Sequence, residues 1–380
     1  MAGTVTWDGL RDLAGFRAAK GCAISLYVNL DPTIVPTAGD ADTRVRSLLQ
    51  EAERSDGASR RDLTHEQRQH LRVDFERIRR YFEDEFSREG THGLAVFCAG
   101  LDNFWRPLSL SEPVPDRVKV GTQFYLAPLV PLVGRGEGAL VVFVGRERGD
   151  VYRLRAGRLE ELVDQFDEQP GRHDQGGWSQ ARFQRHIEEL VHEHLRDVAE
   201  LVDRHVRRLR GPRVIVVTTE ELRPEFESEL SNETRGAIIG WTSAEAHATP
   251  AELLAVVRPV LEEWRARQEE EAVERWRSEA GRNGRAASGW PQTLEAASDG
   301  RVELLLFQEG AAHSAWQCPA CGRAGAEGGA CPLDGTRMEQ RDDGLDLAVH
   351  QTLAHGGTVL AIEQHHDLEP VEGLGALLRY

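Results

Sequence analysis

Two groups of residues in this sequence have types and spacings suited to chemistry. The first is Cys318-Pro319-Ala320-Cys321-Gly322 with Cys331-Pro332-Leu333-Asp334-Gly335, nine residues lying between Cys321 and Cys331. A Cys-Pro-x-Cys-Gly turn aims two ligand atoms at one point, and a second turn of that kind completes a tetrahedral set of four. Cys318, Cys321, Cys331 and Asp334 are therefore expected to hold one zinc ion. His313, just upstream, is the alternative fourth ligand, and a metal-free ribbon with three packed cysteines is the alternative to both. No carboxylate base or oxyanion arrangement accompanies the cluster, so the expected role of the zinc is structural. The remaining cysteines, Cys22 and Cys98, sit inside apolar runs and read as core thiols, not disulfide partners.

The second group is the run Gly171-Arg172-His173-Asp174-Gln175-Gly176-Gly177-Trp178-Ser179-Gln180, which leads into Ala181-Arg182-Phe183-Gln184-Arg185. Adjacent glycines open backbone conformations closed to other residues and remove the Cβ atoms that would block a narrow site. Ser179 is placed to cap the helix that follows. Residues 171–213 carry nine arginines and five histidines against seven acids, a positive balance within a chain of net charge −17. A glycine-tipped loop on an arginine-bearing helix suits a crowded anionic site, with arginines meeting phosphates and the tip meeting bases. The plainer alternative is a helix-entry turn beside a solvated helix with pairs such as Arg185–Glu189. His365-His366-Asp367, with Glu363, reads as a solvated loop, because adjacent histidines on an extended segment point to opposite faces. Neither a Walker loop nor a Gly-x-Gly-x-x-Gly after a strand is present, so nucleotide hydrolysis has no support.

The elements that must position these groups follow from periodicity. Short β-rich runs at 22–30, 93–100, 139–144, 213–219, 238–242, 302–307 and 358–363 read as strands. Residues 104–124 read as edge strands and turns, and 151–162 as one strand paired back on 139–144. Residues 41–55 and 64–88 have helical spacing, with Leu71, Phe75, Ile78, Phe82 and Phe86 on one face. A long amphipathic helix is expected over 179–210, burying Phe183, Ile187, Leu190, His194, Val198, Leu201, His205 and Leu209. Further helices are expected at 221–235, 291–299 and 344–355, and Thr249 is placed to cap one that runs to about Gly281. The small-residue stretch 282–289 reads as a hinge. This pattern gives an α/β chain of three α/β domains: 1–124, a middle domain 125–284 with the glycine loop, and 285–380 in α/β/α layers with a ribbon projecting over 313–340.

Composition narrows the function class. The 380 residues are 40% hydrophobic and 29% charged, which suits folded domains and argues against a disordered tail. The longest apolar run, 139–144, is the length of a buried strand and far short of the roughly 18 residues of a membrane span. The N-terminus lacks a basic segment leading into an apolar one, so it does not read as a secretory signal, and a cytoplasmic protein is expected. The acidic balance argues against DNA or RNA binding by the whole surface, while leaving room for a local basic face. Only Lys20 and Lys119 are lysines, so arginine supplies nearly all of the 46 basic residues.

The run Gly176-Gly177-Trp178-Ser179-Gln180-Ala181-Arg182-Phe183-Gln184-Arg185 resembles the Gly-Gly-Gln-Ser-x-x-Arg-Phe-x-Arg signature of the archaeal and eukaryotic class 1 release factor and Pelota superfamily. The resemblance is to its bacterial branch, with Balon-like hibernation factors, and to the superfamily's peptidyl-tRNA hydrolases. ALVVFVGRERGDVYRLRAGRLEEL before the loop is similar to the superfamily's paired strands, and EGLGALLRY at 372–380 to its terminal strand. The resemblance covers about 125–380. No Asn-Ile-Lys-Ser stop-codon element is found in the first block.

The resemblance implies a ribosome ligand whose loop enters the A site and reaches the peptidyl-transferase centre, facing 23S rRNA and the end of the P-site tRNA. Gly176, Gly177, Trp178 and Gln180 would be the residues at the reacting ester, and Trp178, Ser179, Arg182 and Arg185 would contact RNA. The superfamily's water-positioning glutamine is replaced by Trp178, which retains a backbone N–H for a developing oxyanion but lacks that side chain. The substitution favours occupancy, as in hibernation or rescue, over peptidyl-tRNA hydrolysis. Delivery by a translational GTPase such as elongation factor Tu is a further expectation. A zinc-ribbon interaction module without an RNA partner is the reading from another class.

Overall fold

A computed structural model describes residues 5–54, 63–88, 91–133, 138–155, 157–162, 180–209, 212–282, 284–363 and 367–380, with the side chains of 180–188 outside that description. The chain forms two compact units, one from residues 1–134 with 267–380 and one from 135–266.

The 135–266 unit is built on β5 (Leu140–Val144), β6 (Gly149–Arg155), β7 (Arg158–Glu161), β8 (Val214–Thr218) and β9 (Ile238–Thr242), in the order β7-β6-β5-β8-β9. β5, β8 and β9 run parallel, and β6 and β7 extend the sheet as an antiparallel hairpin with β7 at the edge. The run 151–162, read as one strand, is a hairpin: Gly157 takes a φ of 70° and turns the chain between β6 and β7. The sequence Leu-Val-Val-Phe-Val of β5 is buried throughout, as a strand covered on both faces must be. Leu140, Val142 and Val144 face one layer with Val214 and Val216, and Val141 and Phe143 face the other with Ile215 and Val217. The first layer is closed by the helix Gln180–Arg208 through Leu195, Val198, Ala199, Val202 and Val206, and the second by Leu253, Val257 and Leu261 of the helix Pro250–Gly281. Each aliphatic side chain so buried stabilises the fold by about 1.5–3 kcal/mol relative to exposure.

Within the helix Gln180–Arg208 the buried stripe is displaced from the expected one. Val198 and His205 are buried, but Leu190 is 51% exposed. Residues expected to form one helix over 221–235 form two, Arg223–Glu229 and Asn232–Ala237, the second capped by Ser231, whose hydroxyl accepts from the N–H of Thr234. Thr249 caps the helix Pro250–Gly281 as expected: its N–H donates to the Glu252 carboxylate at 2.8 Å, and its hydroxyl accepts from the Glu252 N–H at 3.4 Å.

In the other unit, β1 (Ala23–Asn29), β2 (Gly93–Ala99), β3 (Phe104–Leu110) and β4 (Arg117–Gly121) form an antiparallel sheet ordered β3-β2-β1-β4. One face packs on the helices Ala38–Arg54 and His65–Arg80 through Ile24, Leu26, Val96, Leu49, Phe75 and Ile78. The other face, with Tyr27 and Phe97, shares a core with Trp290, Leu294, Leu305 and Val349 from beyond residue 285. There β10 (Ala286–Ser288), β11 (Val302–Gln308), β15 (Thr358–Ile362) and β16 (Leu374–Leu378) form a sheet ordered β10-β16-β11-β15. The helices Gly289–Ser298 and Gly344–Ala354 contribute to the shared core. The expected hinge at 282–289 therefore contains a paired strand: Ala286, Ala287 and Ser288 lie opposite Leu377, Ala376 and Gly375. Small residues suit this position because Trp276 packs over Gly375, where a Cβ would fall 2.8 Å from the indole nitrogen.

Candidate functional site

Residues 313–341 hold a three-stranded sheet ordered β13-β12-β14, formed by β12 (Ala315–Gln317), β13 (Ala324–Gly325) and β14 (Glu339–Arg341). Two turns of matching geometry rise from it. Cys318 N–H donates to the carbonyl of Arg323 at 2.9 Å, and Gly322 N–H donates to the carbonyl of Cys318 at 2.9 Å. Cys331 N–H donates to the carbonyl of Thr336 at 2.8 Å, and Gly335 N–H donates to the carbonyl of Cys331 at 2.9 Å. Gly322 and Gly335 occupy equivalent positions with φ of 82° and 73°, which is why glycine closes both turns.

The two turns bring together the four residues expected from spacing. Their ligand atoms all lie within 4.8 Å of one another. Cys321 and Cys331 sulfurs are 3.6 Å apart, and the Cys318 sulfur is 3.4 Å from one oxygen of Asp334. Metal–sulfur bonds of about 2.3 Å and a metal–oxygen bond of about 2.0 Å at tetrahedral angles require separations of about 3.8 and 3.5 Å, so the donor set fits a tetrahedral cation. Backbone donors favour the anionic forms of Cys318 and Asp334, while, against the lowering effect of the Arg323 backbone, partial desolvation and the neighbouring Cys318, Cys331 and Asp334 push the Cys321 thiol up to about 11. The Cys321 N–H, pointing at the Cys318 sulfur, lowers that thiol's pKa, and the Thr336 N–H and hydroxyl draw the Asp334 carboxyl down to about 2. Cys318 and Cys331 are buried with Met338, while Cys321 and Asp334 are exposed, so the site is closed on one side and open on the other.

His313, the alternative fourth ligand, is not part of this group. Its ring stacks on Trp290 at 4.9 Å with an interplanar angle of 17°. The ribbon does not simply project from its domain. Ala315 and Ala324 enter the shared core, Arg323 pairs with Asp299 at 2.6 Å, and Ser298 exchanges hydrogen bonds with the backbone of Ala324. Gln351 donates to the carbonyl of Gly322 at 2.8 Å. These anchors were not legible from the cysteine spacing, since they join the ribbon to two helices outside it, Gly289–Ser298 and Gly344–Ala354.

Gly176, Gly177, Trp178 and Ser179 lie outside the described residues, as do His365 and His366. Gln180 is the first residue of the helix Gln180–Arg208, and Arg182 and Arg185 fall in its opening turns, where only the backbone is described. That helix is seated closely on the sheet. Gly149 at the start of β6 lies beneath it, where a Cβ would meet Val198 at 2.2 Å. Cys98 is buried in the core, and burial pushes its thiol up to about 12, in keeping with an inert role.

Residues 125–265 match the model of Bacterial archaeo-eukaryotic release factor family 10. Peptide chain release factor subunit 1 of Archaeoglobus fulgidus is 28% identical over 226 residues, covering 56% of this chain and 54% of the relative. The chain thus spans about half the length of that relative. The corresponding protein of Thermoplasma acidophilum is 24% identical over 296 residues, covering 71% of this chain and 70% of the relative. A solved structure of ribosome-bound archaeal Pelota with ABCE1 aligns with a TM-score of 0.43 and 17% identity, over 76% of this chain and 77% of that one. Residues 125–265 are thus similar to the bacterial archaeo-eukaryotic release factors, and more than half of the chain is similar to archaeal peptide chain release factor subunit 1.

Proposed function

We propose that the protein is a ribosome-binding translation factor that carries residues 176–180 into the A site, to the peptidyl-transferase centre, and acts in ribosome hibernation or rescue. The observation that carries this reading is that the release-factor match at 125–265 spans the glycine run and the helix that begins at Gln180. A rigid sheet with a helix packed on it is a suitable base for a loop that must enter a narrow RNA-lined site. Gly176 and Gly177 add no Cβ bulk, Trp178 offers a face for stacking on a base of 23S rRNA or the P-site tRNA end, and Arg182 and Arg185 supply planar forks for phosphates. Ser179 and Gln180 offer hydrogen-bonding groups at the loop's exit.

Occupancy is favoured over chemistry. The N–H of Trp178 could still donate to an oxyanion, but indole has no group that holds the attacking water as a carboxamide does. Peptidyl-tRNA hydrolysis is the second reading, supported by the glycine pair and by Gln180 two residues further on. A cytoplasmic location and delivery by a translational GTPase such as elongation factor Tu accompany the proposal. The metal at Cys318, Cys321, Cys331 and Asp334 is proposed to be Zn2+ with a structural role, fixing an insertion with little apolar content of its own.

Co-sedimentation with 70S ribosomes through a sucrose cushion tests the reading. Binding in a 1:1 ratio that weakens in Trp178→Ala is expected. Failure to pellet over a range of salt would overturn it and leave the ribbon as a protein-interaction module.

A further inference from the structure

The helix His65–Arg80 carries a second basic feature, far in sequence from the glycine loop. One side of it lines a groove of about 750 Å³ together with Trp105 of β3. Gln69, Arg72, Val73, Arg77 and Arg80 supply its helical wall at spacings of three and four residues. Arg72, Arg77 and Arg80 are all exposed, and Val73 is 56% exposed, a large apolar side chain at the surface beside them. Neither Arg72 nor Arg80 forms an ion pair among the described residues. Arg79, by contrast, is held by Glu53 at 3.0 Å and by Glu76. Glu76, although it lines the groove, is thus engaged on its own helix, and Glu85 is the remaining acid there.

The aromatic part of the groove is organised. The Arg77 guanidinium lies over the Trp105 ring, 4.4 Å from its centroid, and Tyr81 meets the same ring edge-on at 5.5 Å. Tyr81 opens a π-helical turn, Tyr81–Glu85, closed by an N–H of Phe86 donating to the carbonyl of Tyr81 at 2.9 Å. Such turns interrupt a helix at an energetic cost and recur at functional sites. Here the turn brings Tyr81 against Trp105 at the end of the arginine row.

We propose that this groove binds a nucleotide, its base stacked on the Arg77–Trp105 pair and its phosphate held between Arg72 and Arg80. A guanidinium resting on indole presents a planar cation on which a base can lie, an arrangement that accepts every base because each has a π-face. Arg72 and Arg80 are about 12 Å apart along the helix axis, from a rise of about 1.5 Å per residue, so their long side chains can converge from two sides on one phosphate between them. Planar forks suit phosphate oxygens better than ammonium groups do, and no lysine lines the groove among the described residues. The volume lies within the range of about 300–1,000 Å³ typical of small-ligand sites. The same chemistry could be met by a nucleotide within single-stranded RNA or by a free nucleoside phosphate.

The test uses the full chain and needs no ribosome, so it does not depend on the glycine loop. Fluorescence anisotropy would follow a labelled mixed-sequence oligoribonucleotide, with an abasic oligomer of equal charge as control, while calorimetry would follow GTP and ATP. Arg72→Glu/Arg80→Glu should weaken binding by about tenfold or more and make the dependence of log K on log salt shallower by about 1.4. Arg77→Met, at an exposed position, should cost about fivefold or more through lost stacking and should remove the preference over the abasic oligomer. Binding of GTP or ATP with this variant pattern supports a free nucleotide, and binding of the oligomer alone supports RNA. The proposal is overturned if neither ligand binds, if both variants bind as wild type does, or if the abasic oligomer binds equally well. Loss of oligomer binding in Trp178→Ala would also overturn it by moving the contact to the loop, whereas ribosome pelleting can fail without affecting it.

Discussion

The sulfur of Cys318 lies 3.4 Å from a carboxylate oxygen of Asp334, sixteen residues away and on the other turn of the ribbon. Each turn is closed by its own backbone hydrogen bonds, so the two residues meet because the turns face each other. The carboxylate completes a set in which the other three ligand atoms are sulfur. Oxygen is a harder ligand than thiolate, and here it occupies an exposed corner.

Metal content follows from this pairing. Purified protein is expected to contain one zinc per chain by elemental analysis, and Cys318→Ser/Cys321→Ser to contain none. Asp334→Cys should retain the ion and surrender it more slowly to a chelator. Unchanged metal in the double serine variant would remove the site from consideration.

Trp178→Ala should lower ribosome affinity by about 1–3 kcal/mol if one base stacks on the indole. Gly177→Val should weaken binding as well, by adding bulk at the tip. Both variants should retain the circular dichroism and melting temperature of the wild type. Peptide release from P-site peptidyl-tRNA is expected to be weak or absent, and a release rate that falls in Gln180→Ala would instead favour the hydrolytic reading.

Gly149→Ala tests how firmly the helix behind the loop is seated. A methyl group at that position would stand 2.2 Å from Val198, so the helix Gln180–Arg208 must shift or repack. Overpacking of this kind costs about 1–3 kcal/mol, measurable by denaturant unfolding. Restoration by Val198→Ala would confirm the contact as the cause.

The cap of the helix Pro250–Gly281 should respond to pH. Hydrogen bonds from the Thr249 N–H and hydroxyl hold the Glu252 carboxyl below its ordinary range. The cap's contribution is therefore fully present above the unfolded pKa of about 4.5 and is lost as pH falls through the lower folded value. Thr249→Ala should cost about 1 kcal/mol at neutral pH. The difference in melting temperature between wild type and Glu252→Gln should narrow as pH falls through the acid range.

The strands and the Cys/Asp cluster were legible because their signals are local. Leu140–Val144 and Val214–Thr218 are continuous apolar runs of strand length, and the two cysteine turns carry their own closing glycines. The misread elements depend on partners distant in sequence. Ala286–Ser288 looks like a hinge because its small side chains carry no strand signal, and its pairing with Gly375–Leu377 is invisible locally. Leu190 falls on the expected buried stripe yet is exposed, because helical spacing gives a face but not where the supporting sheet ends. His313 is the alternative to Asp334 only through nearness in sequence, and its ring has an aromatic partner in Trp290. The groove beside Trp105 had one sequence signal, a helix with five arginines in a strongly acidic chain.

The core that joins Tyr27 and Phe97 to Trp290 and Leu305 has a consequence for the order of synthesis. A chain emerging from its N-terminus delivers β1 to β4 first, with one face of their sheet lacking its cover until residues beyond 285 have been made. The 135–266 unit is continuous in sequence and can condense while that face is still waiting. Even then the last sheet stays open, because β16, an interior strand between β10 and β11, is translated after both of its neighbours. A pause or premature stop before residue 374 would leave two strand edges and an apolar surface unmatched, the state in which a nascent chain most needs a chaperone.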